Sequence, residues 1–118
     1  MTDDRSPAQR AYGDVAPALA DLSDRVLFGE VWERPGLSKC DRSLITVASL
    51  VALNRTNEPP GHVRRALDNG VTADKLTELV THLALSAGWP TANSAISVLR
   101  KALDEAGAST TIRTGDLA

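Results

Sequence analysis

Apolar residues recur at three- and four-residue intervals along most of the chain, the period of one buried helical face. Val15, Leu19, Leu22, Val26 and Leu27 predict a first helix over about 15–28, followed by a short turn at 29–34 that runs into Pro35-Gly36. Ser38-Lys39-Cys40-Asp41 resembles a capping box, with the Ser38 hydroxyl accepting the backbone N–H three residues on, so a second helix is expected from about Lys39. It carries Leu44, Ile45, Val47, Ala48, Leu50, Val51, Ala52 and Leu53 and is apolar on nearly every side. A buried strand is the competing reading of that run; the cap, the alanines and a length of about sixteen residues favour a helix. Such a helix belongs at the centre of a core or at a subunit interface.

Beyond a polar break at 54–58, Pro59-Pro60 open the next element, because proline is tolerated in a first helical turn. Gly70 is expected to close it in the left-handed cap position. Thr72 then caps a helix through about Ser86, with Leu76, Leu79, Val80, Leu83 and Ala84 on one stripe, and Gly88-Trp89-Pro90 is expected to end it. A last helix over about 91–106 turns Ala95, Ile96, Leu99 and Leu103 inward and stops at Gly107. Every element is helical, so the fold class is all-α, a compact domain of about five or six helices over residues 15–107. Residues 1–14 and 108–118 lack this periodicity and are expected to be a flexible N-terminal segment and a polar C-terminal tail.

Composition narrows the function. At 118 residues and 42% hydrophobic, the chain can bury a core as one domain without staples. A net charge of −2 and 3% aromatic residues offer neither the basic face nor the stacking platforms that nucleic acid rewards, so no nucleic-acid partner is expected. The single cysteine, Cys40, excludes an internal disulfide, a CxxC pair and a multi-cysteine metal site, and suits a reducing compartment. The acidic start lacks a secretory pattern, and no apolar run nears the roughly 18 residues a membrane span needs. A cytoplasmic location without membrane attachment is the expectation.

No glycine-rich phosphate loop, HExxH pair or GxSxG elbow is present. What remains is polar residues beside apolar runs. His62 lies in the first turn of the double-proline helix; the amide groups of Gly61, His62 and Val63 there would attract an anion, and the local dipole favours a neutral imidazole. It is either a proton-transfer residue beside a bound carboxylate or a polar residue facing water. Glu30 follows Gly29 between Phe28 and Trp32, where partial burial would raise its pKa for acid or base work; a solvated glutamate is the alternative. Arg34, Arg42 and Arg55 can grip a carboxylate bidentately or reach out to solvent. His82 reads as packing within its helix, and Cys40 as incidental.

Four segments taken in order, FGEVWERPGL at 28–37, RSLITVASLVALNR at 42–55, HVRRALDNGVT at 62–72 and AGWPTANSA at 87–95, resemble the carboxymuconolactone decarboxylase family. The likeness runs over about residues 28–103. It implies the all-helical fold shared with alkylhydroperoxidase D-like proteins, assembled as a homo-oligomer, trimer or hexamer. The peroxidase branch of that superfamily uses a CxxC pair with a histidine four residues beyond. His62 falls on that histidine, but Arg55 and Glu58 stand where the cysteines would be, so thiol redox chemistry is lost. The implied reaction is cofactor-independent loss of CO2 from 4-carboxymuconolactone, giving the β-ketoadipate enol-lactone in protocatechuate catabolism, with no metal. The implied site has His62 and Glu30 as catalytic groups, and Arg34, Arg42, Arg55, Trp32, Trp89 and Ser86 around a small-molecule carboxylate substrate. Departures from the family pattern sit at Pro59-Pro60 and at Ser86, where a tyrosine is often found. They keep open a relative recruited to biosynthesis that acts on another unsaturated lactone or acid, and a non-catalytic oligomeric scaffold.

Overall fold

Proline opens four of the helices in the computed structural model, which describes residues 3–110. α1 (Pro7–Tyr12), α2 (Pro17–Leu22) and α6 (Trp89–Glu105) each hold one in their first two positions and α4 (Pro59–Asp68) holds two, where the missing N–H costs no helical bond. α3 (Lys39–Ala52) and α5 (Ala73–Ala87) complete the set, and no strand occurs among the described residues, so the all-α reading holds. The chain divides into two compact units, one reaching to Lys39 and the other starting at Cys40.

In the first unit, α1 lies inside the segment for which periodicity offered no element. Its signal is a cap: the Ser6 hydroxyl accepts the Gln9 N–H at 3.1 Å and donates to Asp24 at 2.9 Å. Ser23 Oγ donates to the Leu19 carbonyl at 3.0 Å, so its 2.7 Å contact with Tyr12 is received from the phenol. The helix expected over 15–28 is corrected in kind and length. α2 passes directly into a nine-residue π-helix, Ser23–Val31, and Trp32 N–H bonds the Leu27 carbonyl five residues back at 2.9 Å. The physical reason lies at Gly29: a Cβ there would stand 2.9 Å from the Asp24 carbonyl oxygen, so only a residue without one lets the wider turn close.

In the second unit, α5 and α6 form a hairpin, with Thr77 early in α5 beside Leu99 and Leu103 late in α6. Gly88 alone makes the turn at φ 107°, so Trp89 and Pro90 begin α6 rather than ending α5. The core gathers Val47 and Val51 of α3, Val63 and Ala66 of α4, Leu76 and Val80 of α5, and Leu99 and Leu103 of α6. Near the other end of the α3 and α4 pair, Asn69 Nδ2 donates to the buried Ser43 hydroxyl at 3.0 Å. Thr72 caps α5 as expected, accepting the Lys75 N–H at 3.1 Å.

Three helices of this unit end in the same way. After α4, Gly70 (φ 93°) bonds back to Leu67 while Val71 bonds to Ala66; after α6, Gly107 (φ 69°) bonds to Asp104 while Ala108 bonds to Leu103. These are Schellman motifs, which need one left-handed residue. The third, after α3, has the same pair of bonds but places Asn54 (φ 57°) in the left-handed position.

Candidate active site

The end of α3 positions Arg55, one of the residues expected at the site. Asn54 N–H bonds the Val51 carbonyl at 3.0 Å and Arg55 N–H bonds the Leu50 carbonyl at 2.9 Å, which pins the backbone of Arg55 as it leaves the helix. Thr91, in the first turn of α6, donates its hydroxyl to Asn54 Oδ1 at 3.1 Å and so ties the two helix ends together. Between them opens a cleft whose apolar walls are Val47, Val51, Val63, Val80, Val98 and Leu99, and whose polar residues are Asn54, Arg55, Thr56, Thr91 and Ser94. Its enclosed room is about 20 Å³, enough for one water, so anything larger sits across the mouth. The exposed Arg55 supplies the mouth with a positive charge.

His62 is not among the residues that line this cleft; it precedes the wall residue Val63 on α4. The imidazole is half-buried, and its pKa is lowered from the ordinary 6.5, first by loss of hydration and then by the Arg65 charge one turn on, against a smaller opposing pull from Glu58. Burial also lowers the pKa of Arg65. Neutral imidazole therefore dominates at pH 7, as the sequence suggested. Of the three amides expected to be free at Gly61, His62 and Val63, that of His62 is already used: its N–H bonds the Glu58 carbonyl at 3.3 Å.

The other expected residues are spread. Arg42 and Cys40 are half-buried in the first turn of α3, while Ser86 and His82 are exposed on α5. Trp89 is 61% exposed and is not among the cleft walls, so the apolar lining expected from it is provided by valines instead. In the first unit, Trp32 is buried with its ring centroid 5.9 Å from that of Phe28. Glu30 and Arg34 are exposed, so the burial expected at Glu30 falls on Trp32. Asn54, Thr91 and Ser94 went unnoticed, although the Asn-Arg pair directly after an apolar helix and the Thr-x-x-Ser spacing in the first turns of the next were available signals. Among the described residues no three His, Cys, Asp or Glu side chains converge as metal ligands.

The second unit thus holds an apolar cleft between helices with Arg55 at its mouth. The chain belongs to the carboxymuconolactone decarboxylase family, whose model matches residues 17–101. It is 45% identical over 83 residues to the 4-carboxymuconolactone decarboxylase of Acinetobacter baylyi (strain ATCC 33305 / BD413 / ADP1), covering 70% of this chain and 62% of that protein. It is 36% identical over 78 residues to the nitrosuccinic acid decarboxylase of Metarhizium robertsii (strain ARSEF 23 / ATCC MYA-3075), covering 66% of this chain and 54% of that one. The chain thus matches less than two thirds of the length of either relative. Among the described residues no helix is long and apolar enough to cross a membrane.

Proposed function

We propose that this protein is a carboxy-lyase that removes CO2 from 4-carboxymuconolactone, without a cofactor, in protocatechuate catabolism. The observation that carries the reading is the 45% identity to a 4-carboxymuconolactone decarboxylase over a stretch of 83 residues. The chemistry suits the residues. The departing carboxylate sits on the carbon next to a C=C that is conjugated with the lactone carbonyl. When its C–C bond breaks, the electron pair moves through the C=C into a dienolate, CO2 leaves, and a solvent proton is taken at the carbon α to the lactone carbonyl. The substrate is its own electron sink.

Three tasks fall to the protein. Arg55, with Arg34 and Arg42 as the other candidates, binds a carboxylate. A neutral His62 donates a hydrogen bond to the lactone oxygen as negative charge gathers there, or passes the proton, with Glu30 as the second proton-transfer group. The valine walls offer a dry surface on which a carboxylate is poorly solvated and neutral CO2 is not. Purified full-length protein should release CO2 from 4-carboxymuconolactone with no metal or nucleotide added, and in deuterated water the product should carry one deuterium at the α carbon. His62→Ala should lower turnover by about 10²-fold or more with helical circular dichroism unchanged. Absence of CO2 from the wild type overturns the assignment.

The second relative favours one alternative. A nitro group, like a conjugated lactone, can hold the electron pair left by CO2, so an acid with a different sink is the reading to test next. Nitrosuccinate offered in the same assay separates the two.

A further inference from the structure

Asn54 is the only residue other than glycine with a positive φ among the described residues, and it occupies a position for which this same chain uses glycine twice. Left-handed backbone disfavours any side chain, asparagine less than most. Glycine would close α3 as Gly70 closes α4 and Gly107 closes α6, so the Asn54 carboxamide is present in spite of the backbone. A side chain retained at conformational cost beside a cleft points to use.

Its bonding indicates what use. Thr91 donates to Oδ1, which leaves the Nδ2 hydrogens as the part of the amide open to a ligand. Arg55 and Ser94 share the cleft with it, and below them the walls are valines and a leucine. A carboxylate pushed down among those walls would lose its hydration without compensation, so the charge must stop at the mouth, where the donors are. We propose that Asn54, oriented by Thr91, is a specificity-determining residue that joins Arg55 and Ser94 in receiving the carboxylate the substrate retains. This rests on the decarboxylase reading only for the identity of the substrate. Asn54 and Ser94 bind; Thr91 is a positioning residue.

A purely structural clasp between the ends of α3 and α6 would need only an acceptor for the Thr91 hydroxyl. Asn54→Asp keeps that acceptor and tolerates the left-handed backbone, but it replaces the donor pair with a negative charge. Asn54→Gly suits the backbone and removes the side chain. Succinate serves as an unreactive dicarboxylate probe, titrated into full-length protein and followed at the backbone amides by NMR. Wild type should show saturable shifts at Asn54, Arg55 and Ser94. Asn54→Gly should bind about tenfold more weakly and Asn54→Asp about a hundredfold more weakly. Thr91→Val should lose part of the affinity and Thr91→Ser should restore it. On 4-carboxymuconolactone, Asn54→Gly should raise KM about tenfold while kcat moves much less. Equal succinate affinity in wild type and Asn54→Asp, or shifts confined to other parts of the chain, overturns the proposal. CO2 release with the same KM in all variants also removes the subsite while leaving the reaction standing. Succinate shifts lost in Asn54→Asp, with no CO2 from 4-carboxymuconolactone, keep the subsite and remove the reaction.

Discussion

At His62 a half-buried imidazole faces the positive charge of Arg65, and both effects hold it neutral below its ordinary pKa of 6.5. The sign of the pH dependence follows. The unfolded chain takes up a proton at about pH 6.5 and the folded chain only at lower pH, so in between the unfolded state binds more protons and stability rises with pH. The contribution of His62 is therefore fully present above pH 6.5 and is lost as pH falls through the folded value. Urea midpoints measured from pH 7.5 down to pH 5 should decline less steeply in His62→Gln than in wild type. The same lowered value places the acid limb of kcat/KM below 6.5 if the neutral form is the active one. A limb on which kcat/KM instead falls as pH rises through the histidine range, and which disappears in His62→Gln, would mean the imidazolium does the work. Dithiol-dependent peroxide turnover should be absent, because Arg55 and Glu58 occupy the thiol positions; turnover abolished by Cys40→Ala would contradict that reading.

Glycine separates the helical elements into those that need it and those that do not. Gly61 lies in the first turn of α4 with ordinary negative φ and nothing within 4 Å of a would-be Cβ, so Gly61→Ala should stabilise by about 0.5 kcal/mol. Gly70 has as much room but φ 93°, and Gly70→Ala should cost about 1 kcal/mol. Urea denaturation of the two variants checks the pair, and equal effects would mean the cap conformation is not what Gly70 supplies. The sequence carried this information because Gly70, Thr72 and Pro59 act locally, each through its own φ or hydroxyl. The π-helix was hidden for the opposite reason. Val15, Leu19, Leu22 and Val26 fit a 3.6-residue period, and the wider turn depends on Gly29 passing over a carbonyl five residues away. The cleft was half legible: Arg55 stood out after an apolar helix, whereas its link from Asn54 to Thr91 spans 37 residues and no local pattern encodes it. Trp89 misled because a large aromatic in a motif suggests a wall, while helix α6 starts two residues earlier than the expected Thr91 and leaves the ring exposed.

Across the molecule, ten large apolar residues are exposed among the described residues. In the second unit Ile45 is 53% exposed, Leu53 70% and Leu85 80%, with Trp89 at 61%. In the first unit Val15 is 83% exposed and Leu19 54%. α3 does bury Val47 and Val51 in the core, so the all-round apolar helix anticipated from sequence divides between a face already packed and a face carrying Ile45 and Leu53. Single exposed leucines are ordinary, but large residues recurring on helices of both units mark surface that association would cover. We expect a trimer or hexamer of the 12.5 kDa chain. Sedimentation velocity at micromolar concentration should give one of those masses, and Leu53→Lys combined with Leu85→Lys should shift it downward with helical circular dichroism retained. Each lysine would place an uncompensated charge in a closed interface, a cost of several kcal/mol per copy that cyclic symmetry repeats at every contact. A wild type that runs as a 12.5 kDa monomer refutes this expectation, and the two lysine substitutions should then leave the mass unchanged.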